Sequence, residues 1–360
     1  MLNGHGGNIY ELSQRLGCAP SDIIDMSSNV NPLPPLTGLV EFIIKNIHAI
    51  AALPQVDARS AVLAFAARYN INAEHVIAGN GTTQFICAIP QALETKKALI
   101  LGPTYAGYAD ACNMHNVPYD YLMTEESLDF QPNIDVLIEQ ISDHDTVFIC
   151  NPNNPTGTLM LKADLERLCR FHPDTHFVID ESYLPFVNDS ERLSMFKSGF
   201  PNVLILNSMS KIFRIPGLRI GFLIAPGQTI EKFRPFLLPW NVNSMAQTAV
   251  DYLMKHTDEA DAFIDKTILL LENQRKYMAE AFEDVDGIKL FPSKTSFVLA
   301  KLDENITANI LCNHLAADRI LIRNCSNFRG LSEYFIRISL KTTDINRMLA
   351  DKIINFLHSI

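Results

Sequence analysis

The chain's 360 residues carry a formal charge of −10 and are 48% hydrophobic and 19% charged, which suits a globular protein of two domains with a sizeable core. That charge excludes a general nucleic-acid binder, which needs a cationic face, but a local arginine cluster can still hold an anionic substrate because salt screens charge beyond about 8 Å. Seven cysteines without a CxxC pair, no charged-then-apolar leader and no apolar run of about 18 residues lead to an expected cytoplasmic protein with free thiols, no metal site and no membrane span.

In chain order, MLNGHGGN first sets His5 among Gly4, Gly6, Gly7 and Asn8, ahead of a helical run over Ile9–Leu16. Glycines let a backbone approach a ligand closely, and helix starts attract anions. Read alone, the stretch is a loose tip before a capped helix. NPLPP at 31–35 interrupts any helix and marks a connector. Short apolar runs then alternate with helix-like stretches: HVIAG (75–79), ALILG (98–102), TVFIC (146–150), HFVID (176–180), NVLILN (202–207) and RIGFLIA (219–225). Such runs read as buried strands of a mostly parallel sheet covered on both faces, whose ligands bind beyond the carboxyl ends. The polar groups GNGTTQ, GPTYAGY, NPNNPTG, DESY and NSMSK follow five of those strands. After Trp240 the pattern predicts one long amphipathic helix over about 244–282, then strands in SFVLAKL and YFIRISL, as a smaller α+β domain. The expected division is an arm over 1–44 packing near the small domain and the active site, a large domain over 45–243 and the small domain over 244–360.

The strand ends carry the chemistry. In NSMSKIFRIPGLRIG, Lys211 follows a strand with Ser208 and Ser210 before it and Arg219 between Gly217 and Gly221. A lysine in an apolar setting loses its proton readily and forms Schiff bases, and hydroxyls with a guanidinium suit a phosphate ester. Alone, the lysine would be a solvated surface charge; the SxSK and GxRxG spacing tips the balance. Asp180 ends a buried strand, so its carboxylate needs a cationic or donor partner, for which a protonated pyridine nitrogen would serve. Tyr183 is placed to reach a phenolate oxygen on the same ring. The alternative is an aspartate capping the next turn. IAGNGTTQF reads as strand, turn and helix; Gln84 stands where a dinucleotide fold needs its third glycine, but Gly81 and Thr82 still offer a helix start to one phosphate. Tyr105 is either an ordinary half-buried ring or a platform for a flat cofactor. Asn154, in a proline-fixed turn, can donate its amide to a ring oxygen.

Together, Lys211 in SxSK, Arg219 in GxRxG, Asp180 and Tyr183 in DExY, and Asn154 in NNPTG resemble the fold-type I aminotransferase superfamily, which uses pyridoxal 5′-phosphate (PLP). HGGN, SSNVNPL, LPWNVN and RNCSNFRGL resemble the threonine-phosphate decarboxylases of cobalamin biosynthesis, so nearly the whole chain is covered. The resemblance implies an α/β fold: a large domain with a mostly parallel seven-stranded sheet between helices, and a smaller α+β domain, in a homodimer. Lys211 would hold PLP covalently, and Asp180 would keep its pyridine nitrogen protonated. Asn154 and Tyr183 would bind the ring's phenolic oxygen and Tyr105 would stack on the ring. Gly81, Thr82, Ser208, Ser210 and Arg219 would bind the cofactor phosphate. His5, Gly6, Asn31, Asn154, Arg323 and Arg337 would meet a small phosphorylated amino acid; Arg337 matches the superfamily's carboxylate-binding arginine and is open to either anion.

The implied reaction is decarboxylation of threonine phosphate to aminopropanol phosphate, or of serine phosphate to ethanolamine phosphate, for the nucleotide loop of a cobalamin or norcobamide. Two departures stand out. LPQVDAR puts Leu53 where the family carries a tyrosine that reaches the neighbouring subunit's cofactor phosphate. Tyr105 resembles histidinol-phosphate aminotransferases, which keeps an aminotransferase as the alternative enzyme. A catalytically silent PLP-binding regulator is the alternative of another class; intact Lys211, Asp180, Tyr183 and Arg219 argue against it.

Overall fold

The computed structural model describes residues 6–359. In chain order its strands are β1 (Ile24–Asp25), β2 (Val76–Gly79), β3 (Ala98–Gly102), β4 (Tyr119–Met123), β5 (Thr146–Cys150), β6 (His176–Asp180), β7 (Val203–Asn207), β8 (Gly221–Ile224), β9 (Ile288–Leu290), β10 (Phe297–Leu302), β11 (Ile320–Leu321), β12 (Arg323–Asn324) and β13 (Phe335–Ser339). Seven form one sheet in the order β2-β8-β7-β6-β5-β3-β4. All neighbours are parallel except β8, which runs against both β2 and β7. This is the α/β architecture implied by the resemblance.

The reversal of β8 positions the site. Gly79 pairs with Gly221 and Asn207 with Phe222, so the carboxyl ends of β2 and β7 meet the amino end of β8. The segment 208–220 therefore stays at the end of the sheet where β6 delivers Asp180. The six apolar runs of the sequence all become strands. The seventh strand, β4, is a half-buried edge whose YDYLM residues lack a continuous apolar run, so that criterion passes over it.

The predicted helix over 244–282 is two helices, Ser244–Lys255 and Thr257–Ala281. His256 between them leaves helical geometry at φ −104°, ψ 57°, with its ring stacked on Tyr252 at 4.1 Å. Asp258 and Glu259 then favour a fresh helix start. SFVLAKL and YFIRISL become β10 and β13, paired antiparallel in a second sheet of order β12-β13-β10-β9. β1 pairs in parallel with β11, which ties the N-terminal segment to the chain leading into Arg323. Among the described residues, no helix is long and apolar enough to cross a membrane.

The helix Arg59–Tyr69 closes the core beside β8, with the Phe65 ring stacked on Phe222 at 4.0 Å and fully buried. Phe65→Ala should lower the unfolding free energy by about 3–5 kcal/mol through lost burial and a cavity. Denaturant titration checks this; an unchanged midpoint would contradict the packing described.

Candidate active site

A cavity of about 280 Å³ opens where the strand ends converge. At one end, Gly81 (φ +74°) precedes the helix Thr82–Ala92 and turns its first backbone N–H groups towards the opening. A Cβ on Gly81 would lie 2.7 Å from Arg219 Nη2, so glycine and guanidinium form a cradle that a side chain would fill. A Cβ on Gly221 would meet Thr82 N at 2.5 Å, which shows how tightly β8 is pressed against the helix start. Arg219 itself sits at φ +57° and donates to Pro216 O at 3.2 Å. Ser208 and Ser210 both line the cavity. Ser210 Oγ donates to Ile220 O at 2.9 Å, so its proton fixes the Arg219 turn instead of facing an anion.

The middle of the cavity holds Lys211, Asp180, Tyr183, Tyr105 and Asn154. Lys211 Nζ lies 4.2 Å from the Tyr183 ring centroid. Asp180 is buried, and its oxygens accept from Ser182 N and Tyr108 Oη, each at 2.9 Å. Tyr108 is fully buried, stacked on Phe148 and edge-on to Tyr105. Burial pushes its hydroxyl pKa well up, with the nearby Asp180 charge adding to the shift, so it is a steady donor. Burial likewise raises Tyr105, with Tyr183 and Asp180 adding to it.

The far end is cationic. Arg337 is buried; it donates to Asn154 Oδ1 through Nη1 and to Ser27 O at 2.7 Å through Nη2, while Nε has no partner among the described residues. Its guanidinium lies over the Phe297 ring. Burial lowers its pKa, an uncommon setting for a charge with no ion-pair partner. Arg323 is half-buried, donates to Asn327 Oδ1 at 2.7 Å and lies over Phe328. Burial and the charge of Arg337 both lower its pKa. Gly6 sits between them: a Cβ there would be 2.8 Å from Ser27 O, 3.3 Å from Arg323 Cδ and 3.4 Å from Arg337 Nη2. Among the described residues, no carboxylate comes within salt-bridge distance of Arg219, Arg323 or Arg337.

Of the predicted site residues, Gly6, Gly81, Thr82, Tyr105, Asn154, Asp180, Tyr183, Ser208, Ser210, Lys211, Arg219, Arg323 and Arg337 line this one cavity. His5 lies outside the described residues. Asn31 is not on the wall. It is fully buried, with its amide donating to Ile212 O at 2.6 Å and Thr267 Oγ1 at 2.7 Å, and its backbone N–H donating to Lys211 O at 3.0 Å. Its role is to anchor the lysine-bearing turn. The asparagine facing the cavity is Asn29, which donates to Tyr183 Oη at 3.3 Å and accepts from Ser339 Oγ at 2.7 Å. Asn29 and Tyr108 are what the sequence reading missed. Alternation in SSNVNPL puts both asparagines on one side, and only the packing separates them.

The residues fit PLP. The Gly81–Arg219 cradle suits a phosphate, Asp180 a protonated ring nitrogen and Lys211 a covalent link, with Tyr105 beside them for stacking. Because Arg337 occupies the Asn154 carbonyl oxygen, the Asn154 amide nitrogen is left to donate to a ring oxygen.

Residues 21–353 match the family model for aminotransferase class I and II. The Adenosylcobalamin biosynthesis bifunctional protein CobDQ of Leptospira interrogans is 31% identical over 99% of the chain, which spans 41% of that protein's length. The threonine-phosphate decarboxylase of Salmonella typhimurium is 28% identical over 99% of the chain and 98% of its own length. Among solved structures, L-threonine-O-3-phosphate decarboxylase from Porphyromonas gingivalis gives a TM-score of 0.84 at 29% identity, covering 93% of this chain and all of that one. Histidinol-phosphate aminotransferase from Clostridium acetobutylicum gives 0.86 at 27%, covering 94% and all.

Behind Asp180, Glu181 turns away from the cavity and accepts from Ser194 Oγ at 2.6 Å and Met195 N at 2.8 Å. Burial raises its pKa from 4.5 to about 7, against the pull of those donors. The folded state thus keeps a proton that the unfolded chain releases, and stability falls as pH rises from about 4.5 through 7. The stability difference between wild type and Glu181→Gln should therefore change between pH 5 and 8 by on the order of 3 kcal/mol, with wild type losing more. Chemical denaturation at the two pH values checks this; a pH-independent difference would contradict the assignment.

Proposed function

The chain belongs to the aminotransferase class I and II family of PLP enzymes, and from that premise we propose that it decarboxylates an O-phosphorylated hydroxy-amino acid. The substrate is threonine phosphate, giving aminopropanol phosphate, or serine phosphate, giving ethanolamine phosphate. The observation that carries this reading is the set of three arginines around one cavity that have no carboxylate partner among the described residues. Arg219 is matched by the cofactor phosphate. Arg323 and Arg337, at the far end, call for a second anionic group or pair of groups, which a phosphate ester and a carboxylate supply. The relatives named as threonine-phosphate decarboxylases support the same reading.

When bound, PLP supplies the electron sink that takes up the pair left on Cα as CO2 departs. The chain's residues do the rest. Asp180, held by Tyr108 and Ser182, keeps the ring nitrogen protonated. Tyr183 and the Asn154 amide donate to the ring oxygen. The Thr82 backbone N–H at the helix start would hold the phosphate with Arg219, while the Gly81 N–H is committed to Gly79 O at 2.7 Å and fixes the turn. Lys211 would hold the cofactor and, when its amine is free, could supply a proton to the substrate carbon. Arg323 and Arg337 would hold the substrate's anions and so set its orientation, which is remote binding energy used for positioning. Gly6 lets the N-terminal segment close this end, because any side chain there would collide with Ser27.

A second reading, a phosphate-specific aminotransferase, is favoured by Tyr105 and by the histidinol-phosphate aminotransferase relatives. Histidinol phosphate has no carboxylate to lose, so product analysis separates the two. Purified holoenzyme given O-phosphothreonine or O-phosphoserine should release CO2 without stoichiometric keto acid. Arg323→Ala should lose roughly 10- to 150-fold in kcat/KM while keeping its PLP, the effect of one lost hydrogen bond to a charged group. Keto acid without CO2 would establish the aminotransferase, and neither product would overturn both.

The homodimer is part of the same proposal. Ile44, Ile47, Ile50, Leu53, Val56, Leu238 and Trp240 are exposed, and Trp240 N donates to Val56 O, so the two segments form one surface. Leu53 is 73% exposed and lies outside the lining of the site cavity. A second copy covering this face removes the apolar area from water. Sedimentation should give a dimer, and the double substitution Ile50→Asp with Leu53→Asp should give a folded monomer; a wild-type monomer would contradict this.

A further inference from the structure

The SSNV segment that walls the substrate end has its own anchor. Asp25 closes β1 opposite Leu321, two residues before Arg323. Its Oδ1 accepts from Ser27 N at 2.9 Å, Ser27 Oγ at 2.7 Å and Ser28 N at 3.1 Å, and its Oδ2 accepts from Ser28 Oγ. Burial acts to raise the carboxyl pKa, but the serine donors and the charge of Lys341 outweigh it and hold the group below the usual range. Asp25 is thus an ionised group saturated with donors, outside the cavity lining.

Ser27 passes that order on in two directions. Its hydroxyl proton is committed to Asp25, so its lone pairs are left to accept, and Gly7 N donates to Oγ at 2.7 Å. Its carbonyl accepts from Arg337 Nη2 at 2.7 Å and lies against Gly6. One residue therefore fixes both Arg337 and the Gly6–Gly7 backbone. The negative charge of Asp25 also favours the charged form of Arg337 without forming an ion pair with it. A carboxylate in direct contact would compete with an incoming anion; one acting through a peptide does not.

We propose that Asp25 is a positioning residue for substrate recognition: acting through Ser27, it sets Arg337 and the Gly6–Gly7 segment against the anionic groups of the substrate while touching neither substrate nor cofactor. The identity of the substrate rests on the function proposed above; the anion-binding role of this end does not. Asp25→Asn keeps Oδ1 and the turn but removes the charge. Ser27→Ala keeps the backbone and cuts the link to Gly7.

The test measures three quantities on the holoenzyme of wild type and both variants. They are PLP content with its dissociation constant by fluorescence, the affinity for O-phosphothreonine and for inorganic phosphate by calorimetry, and kcat and KM for CO2 release. Each variant should bind both anions about tenfold more weakly, the effect of one charge-assisted hydrogen bond. KM should rise by a similar factor, while PLP affinity and melting temperature stay near wild type. Wild-type anion affinity in both variants would overturn the role of Asp25 and leave the proposed function standing. Parallel loss of PLP, melting temperature and anion affinity would also overturn it, as a fold-wide defect. Wild type that binds inorganic phosphate but not O-phosphothreonine would remove threonine phosphate as the substrate, and Asp25 would then be judged on phosphate alone. Wild type that binds neither would overturn both.

Discussion

Uncompensated positive charge is the constraint on which the rest of this molecule depends. Arg219, Arg323 and Arg337 face one cavity with no carboxylate partner among the described residues. Arg337 is buried, Arg323 half-buried and Arg219 exposed; a buried guanidinium without an anion is costly, and neutral acceptors offset that cost at Arg337 and orient the other two. Pro216 O holds Arg219, Asn327 Oδ1 holds Arg323, and Asn154 Oδ1 with Ser27 O holds Arg337. Neutral acceptors fix the geometry without cancelling the charge, so the site is organised for anions before any arrives. In a chain of net charge −10, short-range placement governs the site, because distant charge is screened.

The two ends of the cavity arise by different routes. The cofactor end is a product of sheet topology: the antiparallel β8 brings Gly81, Arg219 and the lysine-bearing turn to the same edge as Asp180. The other end is built where the segment from Gly6 to Asn29 meets the second sheet. β1 and β11 pair in parallel, β12 and β13 deliver the two arginines, and the glycines at 6 and 7 are laid against Ser27. Chemistry thus resides on a rigid sheet, whereas recognition resides where that segment meets the second sheet.

Much of the cofactor end was legible in the sequence, because most of its residues follow a continuous apolar strand and carry a polar group that a buried strand end cannot leave unpaired. Lys211, Asp180, Tyr183 and Asn154 were visible that way, and Arg219, which precedes its strand, through the GxRxG spacing after Lys211. What was not legible depends on packing. Tyr108 looks like any aromatic in an amphipathic helix, and its bond to Asp180 joins residues far apart in the chain. Asn29 and Asn31 share an alternation phase in an irregular segment, and only the burial of Asn31 beneath the Lys211 turn tells them apart. Ser210 shares the SxSK motif with Ser208, yet it serves the turn at Ile220. The edge strand β4 escaped because it is half-exposed, and the break at His256 because amphipathic periodicity continues through it.

The central claim is that one cavity holds two separate anion subsites, one for the cofactor phosphate and one for the substrate. Phosphorus NMR of the holoenzyme titrated with O-phosphothreonine tests it most directly. The account predicts two bound phosphorus resonances. Arg219→Ala should shift the cofactor signal and leave the substrate signal in place. Arg323→Ala should abolish the bound substrate signal and leave the cofactor signal in place. A substrate resonance that stays at its free position in the wild type, or one that follows Arg219 instead of Arg323, would contradict the account.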